Sequence, residues 1–221
     1  MSAGELNTNY SANLQGLWHL SGTTDSSKNG YTLTNVNTAT FVSGKFGNCA
    51  KLVSASAQCF TSNGANLNVT TSQTWMCWVN FANTGAEKHI LGIRNSGGGN
   101  LRTIYSAGAN NDFRFFISGL GVTEVTHTTI FTPGLWYSVV GRYDSAANTL
   151  AIFVNGVKVQ VATSGSPSAV TGNFAIGRWG DEAGSEMNGL MDEVAIFNAA
   201  LTDAQITNYY AWAKGLRTST A

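Results

Sequence analysis

The segment 189–206 constrains the fold more than any other part of this chain. Its run 192–197, DEVAIF, places β-branched and aromatic residues after two carboxylates, which is typical of a strand rather than a helix. Thr202 and Gln205 then have the spacing of a capping box. The sequence therefore predicts a strand with an acidic pair at its start, followed by a capped helix over 202–214.

Short strand-like segments separated by turn residues follow one another from Leu14 onwards, as an antiparallel sandwich requires. Asn155-Gly156 is a strong hairpin signal between 150–154 and 157–161. In 157–161 valines alternate with polar residues, so we expect one buried face and one wet face. The other predicted strands are 49–53, 59–62, 74–82, 89–94, 101–106, 112–117, 136–143 and 173–177.

Eight motifs occur along the chain in an order typical of one family. They are GLWHL at 16–20, DSSKNG at 25–30, GKFGNCA at 44–50, TWMCWVN at 74–80, WYSVV with YD at 136–144, IFVNG at 152–156, AIGR at 175–178 and NGLMDEV at 188–194. Together they resemble the laminin G-like domains of the concanavalin A-like lectin/glucanase superfamily. After Ala50 the family often carries Phe-Asp-Gly, where this chain has Leu52-Val53-Ser54 and one carboxylate fewer.

The resemblance implies an all-β fold, a concanavalin A-like antiparallel β-sandwich (jelly roll) with one short C-terminal helix. It covers nearly the whole chain, and we expect three parts. Residues 1–13 form a polar N-terminal arm, residues 14–215 the laminin G-like domain, and residues 216–221 a C-terminal tail.

Charge is scarce and balanced in this sequence. Twelve basic and twelve acidic residues cancel, and charged residues make up 11% of the chain, against about 25% in an average soluble domain. This composition offers no electrostatic basis for binding nucleic acid. The N-terminal residues lack the pattern of a signal peptide, and no apolar run approaches the ~18 residues that span a bilayer. We therefore expect no membrane insertion, while weak surface repulsion favours assembly into homo-oligomers or multi-copy arrays.

Three cysteines, Cys49, Cys59 and Cys77, lack the spacing of metal ligands. Cys49 and Cys59 flank a predicted turn at 54–57, so they could face each other across a hairpin and form a disulfide. The alternative is three buried thiols in a reducing compartment.

The resemblance also implies one structural Ca²⁺ that joins the loop 25–30 to the strand of Asp192. Its ligands would be Asp25, Asn29 and Asp192, because calcium prefers carboxylate and amide oxygens. The alternative is that Asp25 and Asn29 cap a turn through their own backbone, while Asp192 bonds to nearby amides.

No active site is apparent, and we expect no enzyme. The glucanase pattern Glu-x-Asp-x-x-Glu, which places two carboxylates side by side on a strand, is absent. Asp181, Glu182 and Glu186 cluster in a glycine-rich loop and are interpreted as solvated acids. The histidines at 19, 89 and 127 are scattered, with His19 expected to point off the opposite face of its strand from Trp18.

The tryptophans indicate where a ligand could bind. Trp18, Trp78 and Trp136 are predicted to be core residues, and Trp75 to be solvent-facing or interfacial. Trp179 lies in a loop beside three charged residues that could form a glycan platform or a protein-contact anchor with it: Arg178, Asp181 and Glu182. The alternative is that Trp179 folds back over the sandwich edge.

Two functions from different classes fit these features. The first is a non-catalytic structural and adhesion module on a virion surface, made in the cytoplasm without a signal peptide. It would be a phage capsid decoration or tail-associated protein that contacts capsid, tail or other assembly proteins and binds cell-surface glycans, since a single module gains most from multi-copy display. The second is a stand-alone, extracellular, calcium-dependent carbohydrate-binding lectin.

Overall fold

The computed structural model describes residues 12–95, 97, 99–180 and 183–215. Their strands form two antiparallel sheets and are followed by one helix, which confirms the predicted jelly-roll sandwich. The strands are β1 (Leu14–Trp18), β2 (Thr34–Val36), β3 (Thr40–Ser43), β4 (Asn48–Leu52), β5 (Cys59–Ser62), β6 (Gln73–Phe81), β7 (Lys88–Arg94), β8 (Leu101–Ser106), β9 (Phe113–Ile117), β10 (Glu124–His127), β11 (Tyr137–Asp144), β12 (Thr149–Val154), β13 (Val157–Ala162), β14 (Phe174–Ile176) and β15 (Gly189–Phe197). The helix α1 spans Asp203–Gly215.

The two sheets are built from different strand sets. The first sheet has the order β13-β12-β11-β6-β15-β4-β3, and β1 also pairs with β15. The second sheet has the order β10-β9-β8-β7-β14-β5-β2. The main apolar core lies between them, where inward-facing side chains of both sheets meet.

The acidic pair of β15 lies at a β-bulge. Residues 189–191 pair with β4 on one side, and residues 194–197 pair with β1 on that same side. Between Asp192 and Ala195 the register against β6 shifts, and Glu193 has a φ of 51°, in the left-handed region that a G1-type bulge uses. Glu193 accepts a hydrogen bond from His19, with 2.7 Å between Oε1 and Nδ1. The bulge thus explains why two carboxylates interrupt an otherwise apolar strand.

Strand β6 separates two apolar clusters. Trp75 is fully buried in the main core, whereas Trp78 lies on the other face, beneath α1. The expectation that Trp75 is solvent-facing or interfacial was therefore wrong. The two tryptophans do lie on opposite faces of the strand, but the helix covers the outer face, so both are buried. Trp18 is in the main core as predicted, while Trp136 is only half-buried.

The predicted capping box starts the helix. The Thr202 amide donates to Gln205 Oε1 at 2.7 Å, and the Gln205 amide donates to Thr202 Oγ1 at 3.2 Å. Ile206, Tyr209 and Ala213 then pack on the outer face of the first sheet. This reciprocal cap satisfies two amides that have no partner within the helix.

The hairpin at Asn155-Gly156 is also confirmed, with φ values of 51° and 79°. Its second strand, β13, is the edge of the first sheet. There Val157 is 61% exposed, and only Val159 and Val161 pack partly on the core. The predicted buried face is incomplete because an edge strand has a neighbour on one side alone.

The prediction that Cys49 and Cys59 could face each other across a hairpin was wrong, because β4 and β5 belong to different sheets. A 3₁₀ turn at Ser54–Ser56 carries the chain from one sheet to the other. Cys49, Cys59 and Cys77 are all buried and form no disulfide, and burial raises the pKa of the Cys49 thiol to about 11. The three residues are therefore buried thiols.

Most of the predicted arm and all of the predicted tail, residues 1–11 and 216–221, lie outside the described residues. In the remainder of the arm, Asn13 accepts a backbone hydrogen bond from Asn198 at 2.9 Å. Within the described ranges no helix has the length and apolar character needed to cross a membrane.

Candidate functional site

The loop that carries Trp179 lies on the outer face of the second sheet. Leu91 and Ile93 of β7 point into the main core, so Gly92 between them faces outward. A Cβ on Gly92 would come within 2.5 Å of the Trp179 Cα. Backbone bonds fix the loop there, since His89 N donates to Ser185 O at 2.9 Å and Gly177 N donates to Ile90 O at 2.7 Å. The absence of a side chain at Gly92 is therefore what lets the loop lie on the strand.

Four side chains form a continuous row on this face. The Arg94 guanidinium carbon lies 4.0 Å from the Trp179 ring centroid. The Trp179 and His89 ring centroids are 4.7 Å apart, and His89 stacks on Tyr105 at 5.2 Å with an interplanar angle of 15°. Trp179 itself is partly exposed. We call this row, Arg94, Trp179, His89 and Tyr105, the aromatic row.

Polar groups border the aromatic row. Tyr105 donates its hydroxyl proton to Glu124, and Arg114 donates to Glu124 at 3.1 Å and to Asp112 at 3.1 Å. A shallow cavity of about 200 Å³ lies beside the row. Its walls are Glu87, His89, Leu101, Thr103, Tyr105, Phe116, Glu124 and Trp179. The site thus combines aromatic rings with carboxylates and hydroxyl groups in one depression.

His89 is neutral at pH 7. Burial is the main reason that its pKa falls from 6.5 to about 4, although the hydrogen bond from Nε2 to Glu87, 3.1 Å long, acts in the opposite direction. A carboxylate only accepts, so Nε2 carries the proton of the neutral ring. Nδ1 lies 2.8 Å from Thr103 Oγ1, and the Thr103 hydroxyl donates to Leu91 O at 2.8 Å. The imidazole is held in one orientation from both ends.

The predicted ligand-binding residues are only partly brought together. Trp179 is at the centre of the site. Arg178 is 8% exposed, and its Nε donates to Gly180 O at 2.7 Å, so its side chain turns into the loop rather than toward the row. Asp181 and Glu182 lie outside the described residues. Glu186, expected to be a solvated acid, accepts from the Gly184 amide at 2.8 Å and stabilises the loop.

Sequence reasoning missed most of the site. Thr103 and Tyr105 alternate with the core residue Ile104, and this period-2 pattern could have assigned them to an outer face. His89 was interpreted as a scattered histidine. Its place beside Trp179 depends on a loop distant in sequence crossing β7, which no local pattern reveals.

The residues proposed for calcium make other bonds. Asp25 Oδ1 accepts from the amides of Leu17 and Ser27 at 2.9 and 2.8 Å, and Oδ2 accepts from Ser27 Oγ and the Tyr31 amide at 2.8 and 2.7 Å. Asn29 donates its Nδ2 to Gln15 O at 2.9 Å. Four donors around one carboxylate do not fit a cation site, which needs oxygen ligands. In the part of the chain that is described, no group of three or more His, Cys, Asp or Glu side chains could hold a metal.

Among the described residues, Asp192 shares no hydrogen-bond partner with Asp25 or Asn29. Its Oδ2 accepts from the amides of Lys45 and Phe46 at 3.0 and 2.9 Å, and its Oδ1 is buried with no hydrogen-bond partner. Burial raises the pKa of this carboxyl to about 7. The bonds of Asp192 match the alternative of nearby amides.

Comparison with known proteins places this architecture in a family. The laminin G-like family model of the concanavalin A-like lectin/glucanases superfamily matches residues 54–207. The chain belongs to this superfamily. A comparison of the concanavalin A-like domain with curated proteins finds no significant match.

Solved structures share the fold of this concanavalin A-like domain at low identity. Domain 4 of AbnA, an extracellular arabinanase from Geobacillus stearothermophilus solved with arabinotriose, has a TM-score of 0.69 and 18% identity, covering 89% of this chain and 97% of that one. The binding domain of Paraclostridial Mosquitocidal Protein 1 has a TM-score of 0.72 and 12% identity, covering 90% of this chain and 52% of that one. The sialidase of Trypanosoma rangeli, in complex with sialic acid, has a TM-score of 0.67 and 15% identity, covering 90% and 33%. The domain thus spans about half of the second structure and a third of the third.

Proposed function

We propose that this chain is a non-catalytic carbohydrate-binding module whose site is the aromatic row and its polar border. The observation that carries the proposal is the partly exposed Trp179 ring, fixed by a glycine-dependent loop beside stacked His89 and Tyr105. Rigid aromatic groups with a few oriented polar partners are the usual composition of a small-molecule site.

Each part of the site has a role in this proposal. The apolar face of a sugar ring packs on the Trp179 indole, where contact costs little conformational entropy because the ring is already held. Glu87 and Glu124 accept hydrogen bonds from sugar hydroxyls. The 200 Å³ cavity has room for about one sugar unit, since sites for drug-sized ligands begin near ~300 Å³.

The bonding of the two acids supports binding rather than hydrolysis. A glycosidase needs one carboxyl as a proton donor and a second as a nucleophile or base. Here Glu87 is bonded to His89, while Glu124 accepts from Tyr105 and from the cationic Arg114. Both acids are thus engaged by neighbouring donors, which orients them as hydrogen-bond acceptors.

The solved structures support the same ligand class. Domain 4 of AbnA, which matches this chain over nearly its whole length, was solved with arabinotriose. The likeness concerns the fold, and we propose on chemical grounds that the present chain uses its own aromatic row for such ligands.

The test is glycan-array binding of the wild-type chain and of Trp179→Ala. We expect Trp179→Ala to lower the signal for any bound glycan at least tenfold. Ile130→Ala, at a residue 66% exposed on another loop, is the matched control and keeps the wild-type signal. Equal binding by wild type and Trp179→Ala, with equal melting temperatures, would remove the row from the site.

We also propose that the module is displayed in many copies, as a phage capsid decoration or tail-associated protein. The low charge and the exposed apolar side chains Ile130, Leu135 and Val157 support contact with other proteins of an assembly. Co-sedimentation with purified particles tests this role. A chain that stays monomeric and binds glycans without ever joining a particle would favour the stand-alone lectin instead.

A further inference from the structure

A second pocket lies on the opposite side of the molecule from the aromatic row. It is formed where the end of α1 meets the outer face of the first sheet, and we call it the helix-side pocket. Its volume is about 250 Å³. Its lining includes Lys45, Trp78, Trp136, Asn155, Tyr210 and Lys214.

Aromatic rings form the apolar wall of the helix-side pocket. Trp78 on β6 stacks on Tyr210 of the helix, with 6.0 Å between the centroids and an angle of 22°. Trp136 and Tyr210 are both partly exposed, so their rings offer accessible faces. Gly156 allows the close approach of hairpin and helix, because a Cβ there would lie 2.9 Å from Tyr210 Cδ1.

Three polar side chains of the helix-side pocket present hydrogen-bond donors: Lys45, Asn155 and Lys214. Lys45 holds its ammonium group 4.0 Å above the Trp78 ring. Asn155 Oδ1 already accepts from the Ser138 amide at 3.0 Å, so the Asn155 side chain offers its Nδ2 donor. Lys214 adds a second positive charge at the rim. No carboxylate is among the residues that line this pocket.

The two lysines differ in how strongly their charge would attract an anion in the pocket. Lys214 is in the last turn of α1, where its charge offsets the negative end of the helix dipole. Lys45 is partly buried and lies over an aromatic ring, where screening by salt is weaker than at an open surface. Lys45 is therefore the principal cationic group of the pocket.

We propose that the helix-side pocket binds a single sugar unit that carries a carboxylate. The aromatic wall matches the apolar face of a pyranose ring, and the two lysines with the Asn155 Nδ2 donor match an anion. The volume is below the ~300 Å³ at which sites for drug-sized ligands begin, which favours one ring over a longer chain. Sialic acids and uronic acids share this chemistry. The proposal is independent of the aromatic row, which belongs to the other sheet and is bordered by carboxylates.

The test is a titration of the ¹⁵N-labelled chain, followed through the indole Nε1–H signals of Trp78 and Trp136. Four probes are used: N-acetylneuraminic acid, glucuronic acid, the uncharged methyl glucoside and inorganic phosphate. We expect saturable shifts with at least one of the two acids, at affinities on the order of millimolar, and none with methyl glucoside or phosphate. Binding of N-acetylneuraminic acid would indicate a sialic acid as the ligand, and binding of glucuronic acid would indicate a uronic acid.

Lys45→Met is the decisive variant, because it keeps the aliphatic stem over Trp78 and removes the charge. We expect it to weaken binding of the acid at least fivefold, while Lys45→Arg keeps binding within about twofold. Lys28→Met, at an exposed lysine of another loop, is the matched control and retains wild-type binding. Equal affinity in wild type and Lys45→Met, an equal response to methyl glucoside, or an equal response to phosphate would each overturn the proposal. Should Lys45→Met melt much earlier than wild type, the comparison of Lys45→Arg across the four probes decides.

Discussion

The Cα of Trp179 lies over Gly92 so closely that a Cβ on residue 92 would meet it at 2.5 Å. This contact is between a strand and a loop more than eighty residues later in the chain. It places the indole next to His89, which stacks on Tyr105. The position of the proposed site therefore depends on a residue that has no side chain of its own.

Gly92→Ala tests this dependence. The methyl group would meet backbone atoms, which cannot rotate away, so the loop must lift from the strand. We expect a loss of stability of about 1–3 kcal/mol, as for overpacking in a dense region. Glycan binding should fall as far as it does in Trp179→Ala. Thermal melting and array binding measure the two effects.

Gly22→Ala is the control for Gly92→Ala, because a Cβ at Gly22 has no neighbour within 4 Å. It should leave glycan binding unchanged and alter stability by less than about 1 kcal/mol. Full binding by Gly92→Ala would show that the loop does not need its contact with β7.

The sandwich was predictable from the sequence because its determinants are local. Strand alternation, the Asn155-Gly156 turn and the capping box of Thr202 each act within a few residues. The three strands that were missed, β2, β3 and β10, have only three or four residues. None in β2 or β3 is fully buried, and in β10 Val125 is the one apolar residue, so all three carry little apolar pattern. Trp179 was assigned to a candidate site from its loop position alone. His89 and Tyr105 were not, because they come beside Trp179 only through strand pairing and through a loop distant in sequence.

His89 should make the fold less stable in acid. Its pKa in the folded chain, about 4, is below the ordinary value of 6.5, so the unfolded chain binds the proton more readily. Stability from the neutral ring is present above pH 6.5 and is lost as the pH falls toward 4, by at most about 3 kcal/mol. His89→Gln, which keeps polar bonding without titrating, should have a flatter stability profile across this window. Denaturant unfolding at several pH values measures it, and parallel profiles would contradict the assignment.

Asp192 should have the opposite effect on the pH dependence of stability and make the fold less stable as the pH rises. Its folded pKa of about 7 is above the ordinary 3.8, so the folded chain holds the proton more tightly, and this stabilisation is lost as the pH rises from about 4 through 7. Asp192→Asn imitates the protonated carboxyl and keeps an oxygen for the amides of Lys45 and Phe46. We expect it to be more stable than wild type at pH 8 by about 1–3 kcal/mol, after the cost of an unpaired amide group. Lower stability than wild type at pH 8 would show that the charged form is needed.

The calcium prediction is tested by melting in excess chelator and in millimolar Ca²⁺. Both oxygens of Asp25 already accept two hydrogen bonds each, so we expect melting temperatures within about 1 °C of each other. A ligand that binds only the folded chain at a hundred times its Kd adds about 2.7 kcal/mol. A calcium-dependent rise of several degrees, abolished in Asp25→Asn, would restore the metal site.

The most direct measurement of the central claim is a ¹⁵N chemical-shift map of the chain titrated with a glycan that it binds. If the aromatic row is the site, the Trp179 indole and the backbone amides of His89 and Tyr105 show the largest saturable shifts, and Trp179→Ala abolishes them. Saturable shifts confined to other surfaces, with the Trp179, His89 and Tyr105 signals unmoved, would contradict it.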